Sequence, residues 1–153
     1  MADSPVLLIT GASTGIGAQT ARRAVEEGYR VALAARSEDK LRALAEELGG
    51  EGVARAIRCD VSEWDQCEAL AAATLDAFGR FDAVFVNAGF GAKRGFLEET
   101  PEFWRSMVLT NVLGAAYTIR ATLPHILERG TGHYLLTSSV AGRVQMPGSL
   151  YSS

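Results

Sequence analysis

Three closely spaced glycines near the start of the chain form a loop that could hold a phosphate group. From Thr10 the sequence reads Thr-Gly-Ala-Ser-Thr-Gly-Ile-Gly, which places glycine at positions 11, 15 and 17. Residues without side chains let backbone N–H groups approach a diphosphate, and the positive end of a following helix favours the same anion. The spacing differs from the better-known dinucleotide fingerprint, so a tight turn without a ligand is the alternative.

Hydroxyl groups near the other end of the chain could transfer a proton. Tyr151 carries a phenolic hydroxyl, which can give a proton to a group that lies within hydrogen-bond reach. A tyrosine with an ordinary pKa of about 10 is a weak base at neutral pH, and lowering that pKa by about three units needs roughly 4 kcal/mol. The alternative is that Tyr151 packs against the core and that Ser138 and Ser139 only satisfy a strand end.

Secondary structure must position these groups, and the hydrophobic pattern alternates between two periods. Short apolar runs predict five buried strands, at residues 6–10, 30–35, 53–58, 81–86 and 133–138. Apolar residues at helical spacing predict four intervening helices, at residues 16–27, 38–48, 63–78 and 101–120. Alternation of this kind predicts right-handed crossovers and a parallel sheet covered on both faces, which is an α/β fold.

The ends of the helices carry their own signals. Ser37, Ser62 and Thr100 are predicted N-caps, and Pro101 is suited to the first position of the fourth helix. Pro124 is expected to bend or end that helix, since proline removes a backbone donor.

Six ordered motifs give the chain a family resemblance. The Thr-Gly-x-x-x-Gly-x-Gly loop after the first strand resembles that of the short-chain dehydrogenase/reductase family. The other matching motifs are Asp60-Val61, Asn87-Ala88-Gly89, Asn111, the Ser138 to Gly142 segment and Tyr151. The resemblance implies a Rossmann-type doubly wound parallel sheet, for which we expect the strand order 3-2-1-4-5, and an oxidoreductase that transfers hydride between a nicotinamide and a carbonyl or alcohol.

The resemblance also implies a set of cofactor-binding residues, which lie on the loops after the first four strands. They are Gly11, Ser13, Thr14, Gly15, Ile16, Gly17, Arg36, Asp60, Val61, Asn87, Ala88 and Gly89. In the family, the aspartate accepts from the adenine amino group, whereas a turn-forming aspartate is the simpler interpretation of Asp60. The family asparagine at Asn87 stabilises the ends of the central strands.

The residue after the second strand indicates which nicotinamide cofactor is bound. A carboxylate there would bind the ribose 2'-hydroxyl of NAD, but this chain has Ala35 followed by Arg36. An arginine fork is suited to the 2'-phosphate of NADP, so NADP(H) is favoured over NAD(H). The alternative is that Arg36 is a solvated surface charge.

Three residues receive catalytic roles from the resemblance. Tyr151 is the general acid/base, Ser139 polarises the carbonyl, and Asn111 holds a water in a proton relay. Counting back from the tyrosine favours Ser138 instead of Ser139, so both serines stay candidates. The family lysine falls four residues after the tyrosine, at position 155, beyond Ser153. We therefore expect residues 1–153 to be one dinucleotide-binding domain truncated after the catalytic tyrosine, inactive alone and aggregation-prone because its fifth strand is an open edge.

Composition narrows the classes of partner and compartment. The chain has 153 residues, 48% of them hydrophobic and 22% charged, with a net charge of −3, which is typical of a globular domain. Without a basic cluster, nucleic acid is an unfavoured partner, and no apolar run predicts membrane insertion. Two cysteines without metal spacing favour a reduced, cytoplasmic setting. The expected partner is a small carbonyl or alcohol substrate, and the resemblance implies a homodimer or homotetramer.

A second function stays open on the residues alone. A dinucleotide-binding or redox-sensing module that has lost catalysis would keep the glycine loop and lack the lysine. The substrate is not indicated, because its determinants are expected mostly beyond residue 153 and in the loop at 90–99, whose Lys93 and Arg94 are expected to face solvent.

Overall fold

A computed structural model describes residues 4–91 and 95–144. Five strands alternate with helices, and the strands are β1 (Val6–Thr10), β2 (Arg30–Ala35), β3 (Ala54–Arg58), β4 (Ala83–Val86) and β5 (His133–Leu136). The α-helices are α1 (Gly15–Glu26), α2 (Glu38–Glu47), α3 (Trp64–Phe78), α4 (Pro101–Val108) and α5 (Gly114–Arg129). A π-helical turn, Leu109–Leu113, joins α4 to α5, and a 3-10 turn, Val140–Gly142, follows β5.

The strands form one parallel sheet in the order β3-β2-β1-β4-β5, as expected. Strand β1 lies in the centre, where Ile9 is aligned with Leu33 of β2 on one side and with Phe85 of β4 on the other. The strand order reverses direction between β1 and β4. At such a point the loops that leave neighbouring strands diverge and open a crevice above the carboxyl edge of the sheet.

Helices cover both faces of β1, which explains why its sequence is an unbroken apolar run. Leu8 packs into the cluster that contains Leu70 of α3, whereas Ile9 packs on the opposite face with Ala21 of α1 and Leu41 of α2. All five residues of β1 are buried. The centre of the sheet is therefore fixed by apolar packing from two sides.

The helix between the fourth and fifth strands extends further than predicted. It continues to Arg129, and Pro124 lies inside it without ending it. Arg120, whose carbonyl would otherwise pair with residue 124, is exposed, and so is Pro124. Water can reach the carbonyl that the proline leaves unpaired, so the helix tolerates the missing donor.

Several predicted element ends also need correction. Strand β4 begins at Ala83, two residues later than predicted, and β5 ends at Leu136, two residues earlier than predicted. Ser37 occupies the N-cap of α2 without a side-chain hydrogen bond, and α3 is capped by Glu63 instead of Ser62. Ser62 Oγ donates to Asp60 Oδ1 at 2.7 Å, so the serine stabilises the preceding turn. Thr100 caps α4 as predicted, accepting from Phe103 N.

The β5 side of the sheet is open. Strand β5 pairs with β4 on one side, and no other strand of the described residues pairs with its second edge. Leu135 and Leu136 point to opposite faces and are 50% and 55% exposed. Within the described part of the chain, both leucines are thus left about half exposed at this edge, which agrees with the expected open strand. None of the described helices has the length and apolar character needed to span a membrane.

Candidate functional site

The loops at the carboxyl edge of the sheet surround an open cleft of about 800 Å³. Segments that follow each of the five strands line it, together with the π-helical turn. The predicted site residues on its wall are Gly11, Ser13, Thr14, Gly15, Ile16, Arg36, Asp60, Val61, Asn87, Ala88, Gly89, Asn111 and Ser139. Gly17 lies behind this wall, and Tyr151 falls outside the described residues.

The three glycines of the first loop are required for different physical reasons. Gly11 and Gly15 have φ angles of +68° and +57°, a backbone region that favours glycine. A Cβ on Gly17 would lie 2.4 Å from the carbonyl oxygen of Gly11, and one on Gly11 would lie 2.9 Å from Ala88 Cα. A Cβ on Gly15 would meet nothing within 4 Å. The loop is thus tightly packed beneath the cleft and open at Gly15, where a ligand could approach the backbone.

The start of α1 offers donors to that opening. Thr14 is the N-cap but its side chain makes no capping hydrogen bond, and no acidic residue occupies the first turn. Ile16 is 63% exposed, at the edge of the cleft. First-turn N–H groups have no partner within their own helix, so this end of α1 is suited to an anion.

Thr10 and Asn87 tie the strand ends together beneath the loop. Thr10 Oγ1 accepts from the backbone N–H groups of Asn87 and Ala88, at 3.0 and 3.1 Å. The Asn87 amide donates to Thr10 O at 3.2 Å, and its Oδ1 accepts from Thr137 Oγ1 at 2.8 Å. These bonds join the ends of β1, β4 and β5. Sequence reasoning assigned no role to Thr10; its signal is a threonine in an otherwise apolar strand, directly before the first glycine.

Asp60 forms a turn after β3. Its Oδ1 accepts from Ser62 N at 3.1 Å and from Ser62 Oγ at 2.7 Å. The Asp60 backbone N–H donates to Gln66 Oε1 at 2.8 Å. The turn-forming interpretation of Asp60 is therefore correct. It is compatible with adenine recognition, because Asp60 also lines the cleft and the bonds above use one of its two carboxylate oxygens.

Asn111 lies in the π-helical turn, a local widening of the helix that is frequent at functional sites. Its Oδ1 accepts from Phe90 N at 3.0 Å, and its Nδ2 donates to Phe90 O at 2.8 Å. A Cβ on Gly89 would lie 3.1 Å from the same Oδ1. Asn111 thus fixes the segment that leaves β4, a contact that sequence reasoning did not predict.

Ser139 follows β5 and lies at the cleft with its neighbour Ser138. Ser139 Oγ accepts from Ala141 N at 3.1 Å and so caps the 3-10 turn, which leaves its hydroxyl proton available to a ligand. Both serines are exposed. Their positions do not separate the two candidates for the carbonyl-polarising role.

Arg36 is exposed at the mouth of the cleft, beyond the end of β2. Among the described residues it forms no ion pair, whereas nearby Glu38 accepts from Arg42 Nε at 3.0 Å. The first acidic side chain after β2 is thus engaged on the surface of α2. The charge nearest the cleft at this strand end is positive.

Comparison with known proteins places the chain in a family. A family model described as short chain dehydrogenase matches residues 5–153. An uncharacterized oxidoreductase of Staphylococcus haemolyticus is 39% identical over 150 residues, which are 97% of this chain and 64% of the relative. A putative ketoacyl reductase of Streptomyces coelicolor is 39% identical over 144 residues, covering 92% of this chain and 55% of the relative.

Solved structures agree with the sequence relatives. A crystal structure of actinorhodin polyketide ketoreductase with NADPH has a TM-score of 0.91 at 37% identity, covering 99% of this chain and 60% of the other. A short-chain dehydrogenase/reductase from Burkholderia phymatum in complex with NAD has a TM-score of 0.90 at 34% identity, covering 97% of this chain and 54% of the other. The chain spans between half and two thirds of the length of these relatives. It belongs to the short-chain dehydrogenase/reductase family of oxidoreductases.

Proposed function

We propose that the complete polypeptide is an NADP(H)-dependent oxidoreductase that transfers hydride between the nicotinamide and a carbonyl or alcohol substrate. The observation that carries the proposal is the continuity of one cleft from the glycine loop at Gly15 to the hydroxyl groups of Ser138 and Ser139. A dinucleotide is long enough to contact both ends of such a cleft. When bound, the cofactor supplies or accepts the hydride.

The diphosphate is proposed to lie at the start of α1. Gly15 leaves the backbone open there, and the first turn of the helix offers N–H donors without an acidic neighbour. The adenosine half would extend along the ends of β2 and β3, toward Arg36 and Asp60, and the nicotinamide half toward β5. This direction follows from where the cleft runs and from where its polar groups lie.

NADP(H) is proposed over NAD(H) because Arg36 stands where a 2'-phosphate would lie. The similar structures do not decide the matter, since one was solved with NADPH and another with NAD. Ala35 offers no carboxylate to a 2'-hydroxyl, and Glu38 is paired with Arg42. A free guanidinium therefore faces this end of the cleft, and it favours the more negative cofactor.

Proton transfer is proposed to use Tyr151, with Ser139 or Ser138 holding the carbonyl oxygen and Asn111 ordering a water. The serine hydroxyl donates to the carbonyl oxygen and stabilises the negative charge that develops there. Tyr151 supplies the proton in reduction and removes it in oxidation. Asn111 holds the segment after β4 and lies at the cleft, where a water could connect it with solvent.

We further propose that this chain is the N-terminal part of a longer polypeptide. Its relatives are longer, and β5 presents an open edge with exposed Leu135 and Leu136. The continuation would cover that edge and supply a lysine at position 155 to lower the pKa of Tyr151. The proposal also includes a homodimer or homotetramer and a cytoplasmic compartment. The substrate is proposed to be a small molecule that the loop at 90–99 helps to select.

Replacing Tyr151 by phenylalanine in the complete polypeptide tests the reaction. The proposal expects NADPH-dependent reduction of a carbonyl panel to disappear while NADPH binding stays within a factor of about two. Tyr134→Phe is the matched control, because Tyr134 OH contacts Thr122 Oγ1 at 2.9 Å, away from the cleft. Turnover retained by Tyr151→Phe would remove the residue from this role. Binding without turnover in the unaltered protein would indicate the non-catalytic module instead.

A further inference from the structure

Two cysteines lie together under the adenosine end of the cleft. Cys59 directly follows β3 and lines the cleft, although only 2% of it is exposed. Cys67 lies in the first turn or two of α3 and is 1% exposed. Both belong to the same buried cluster, eight positions apart across the turn that carries Asp60 and Val61. The proposed reaction uses neither thiol.

Both sulfur atoms are held in the same short connection. Cys59 Sγ donates to Gln66 O at 3.6 Å, and Cys67 Sγ donates to Val61 O at 3.5 Å. Cys59 Sγ therefore bonds to the residue directly before Cys67, and Cys67 Sγ bonds to the residue two positions after Cys59. The turn between them thus brings both thiols into the same buried pocket of the core.

We propose that Cys59 and Cys67 are a modification site, a dithiol that a peroxide converts to a disulfide when the cleft is empty. A dinucleotide in the cleft would oppose the reaction by covering the wall that Cys59 forms. Protection by the dinucleotide rests on the proposed cofactor site. Formation of the disulfide does not rest on that site, because it needs only the two neighbouring thiols and an oxidant that can enter the cleft.

The chemistry is that of ordinary thiol oxidation. The sulfur of Cys59, which lines the cleft, attacks one peroxide oxygen, the O–O bond breaks, and water leaves with the thiol proton, which gives a sulfenic acid. The sulfur of Cys67 then displaces the hydroxyl group from that sulfur, and its own proton leaves with the hydroxyl as a second water. Two thiols lose two hydrogens and two electrons in total, and one hydrogen peroxide becomes two waters.

Forming the bond would change the cleft through the turn between the cysteines. An S–S bond is about 2.05 Å long, shorter than any contact between two thiols, so the end of β3 and the start of α3 must approach. Val61 has little room to follow, since a Cβ on Gly114 would lie 2.6 Å from its Cγ2. Asp60 and Val61 would therefore shift at the cleft wall. Binding and oxidation would oppose each other by the same factor, as linkage requires.

Peptide mapping of the complete polypeptide after hydrogen peroxide treatment tests the proposal. Without cofactor, we expect a peptide pair linked through Cys59 and Cys67 and lighter by two hydrogens, reversed by dithiothreitol. Saturating NADPH should slow its formation about tenfold. Cys67→Ser and Cys59→Ser should each abolish the linked pair, because each variant lacks one of the two sulfur atoms.

The outcomes separate this inference from the proposed function. Free thiols at both positions after treatment, or cross-links only between separate molecules, would overturn the dithiol. A linked pair that forms equally fast with bound NADPH would overturn the protection. Failure of the reduced protein to bind NADPH would contradict the proposed cofactor site. The digest made without NADPH tests the disulfide independently of that result.

Discussion

The two ends of the parallel sheet use polar groups in opposite ways. At the amino end, the Asp82 carboxylate accepts from Val6 N at 2.8 Å, Arg80 Nε at 3.0 Å and Arg129 Nη2 at 2.9 Å. At the carboxyl end, the glycine loop, Arg36 and Ser139 face an open cleft. Polar groups that satisfy one another contribute to stability, whereas groups left facing a cleft are available to a ligand.

The pKa of Asp82 reflects its satisfied environment. Burial of the carboxyl group opposes ionisation, but hydrogen bonds from Arg80 and Val6 N and the charge of Arg129 outweigh it and lower the pKa. The amino end thus holds a charge network that connects β1, β4 and α5. Changes at the two ends should therefore separate: those at the carboxyl end should affect binding, and those at the amino end should affect folding.

Gly17→Ala should have the largest effect. The new Cβ would lie 2.4 Å from the Gly11 carbonyl oxygen, and the loop must shift to relieve this contact with backbone. Overpacking of this kind costs about 3 kcal/mol at most, so NADPH affinity should fall up to about a hundredfold, as measured by calorimetric titration. Gly28→Ala is the control, with a positive φ but open space. Equal loss of affinity in both variants would refute a local effect at the loop.

Asp82→Ala should instead lower the stability of the fold and leave cofactor affinity unchanged. It removes the carboxylate that the Val6 N–H, Arg80 and Arg129 share. Because the side chains of Arg80, Asp82 and Arg129 are partly exposed and water can replace some of these bonds, the combined cost should be about that of one hydrogen bond to a charged group. Chemical denaturation should show a loss of about 2 kcal/mol in the free energy of unfolding. NADPH affinity of the folded variant should stay unchanged. A large loss of affinity with little loss of stability would contradict the division between the two ends.

Arg36→Ala tests the positive charge at the mouth of the cleft. Loss of one exposed charge-assisted contact should weaken NADPH binding about tenfold and leave NADH binding nearly the same. Arg42→Ala is the matched control, since it removes an exposed arginine that pairs with Glu38 on α2. If Arg36→Ala weakens both cofactors alike, the arginine does not read the 2'-phosphate.

The smallest expected effect is on how the free energy of unfolding falls at low pH. The folded pKa of Asp82 lies below its ordinary value of 3.8, so its contribution is fully present above that value and is lost as the pH falls through the folded pKa. Denaturation curves collected below about pH 4 should show this loss of stability in the unaltered protein. The Asp82→Asn variant should show a smaller loss. If the free energy of unfolding fell equally with decreasing pH in both proteins, Asp82 would not be the source of the pH dependence.

Sequence reasoning predicted the sheet better than the site. Apolar runs such as Val6 to Thr10 identify a strand buried on two faces, and the glycine loop identifies the cleft. The contact between Asn111 and Phe90 was not predicted, because it depends on a π-helical turn that no local pattern specified. The predicted end of the helix near Arg120 was too early, because whether a helix can continue through Pro124 depends on solvent exposure, a tertiary property. The neighbouring cysteines became a pair only through the turn between them.

The central claim is that backbone amides beside Gly15 bind the diphosphate of a nicotinamide dinucleotide. Titrating the complete, folded polypeptide with NADPH and with NADH, and following cofactor fluorescence, tests it most directly. The account predicts saturable binding of both, with NADPH bound more tightly and Gly17→Ala weakened. A folded protein that shows no saturable association with either cofactor would contradict it.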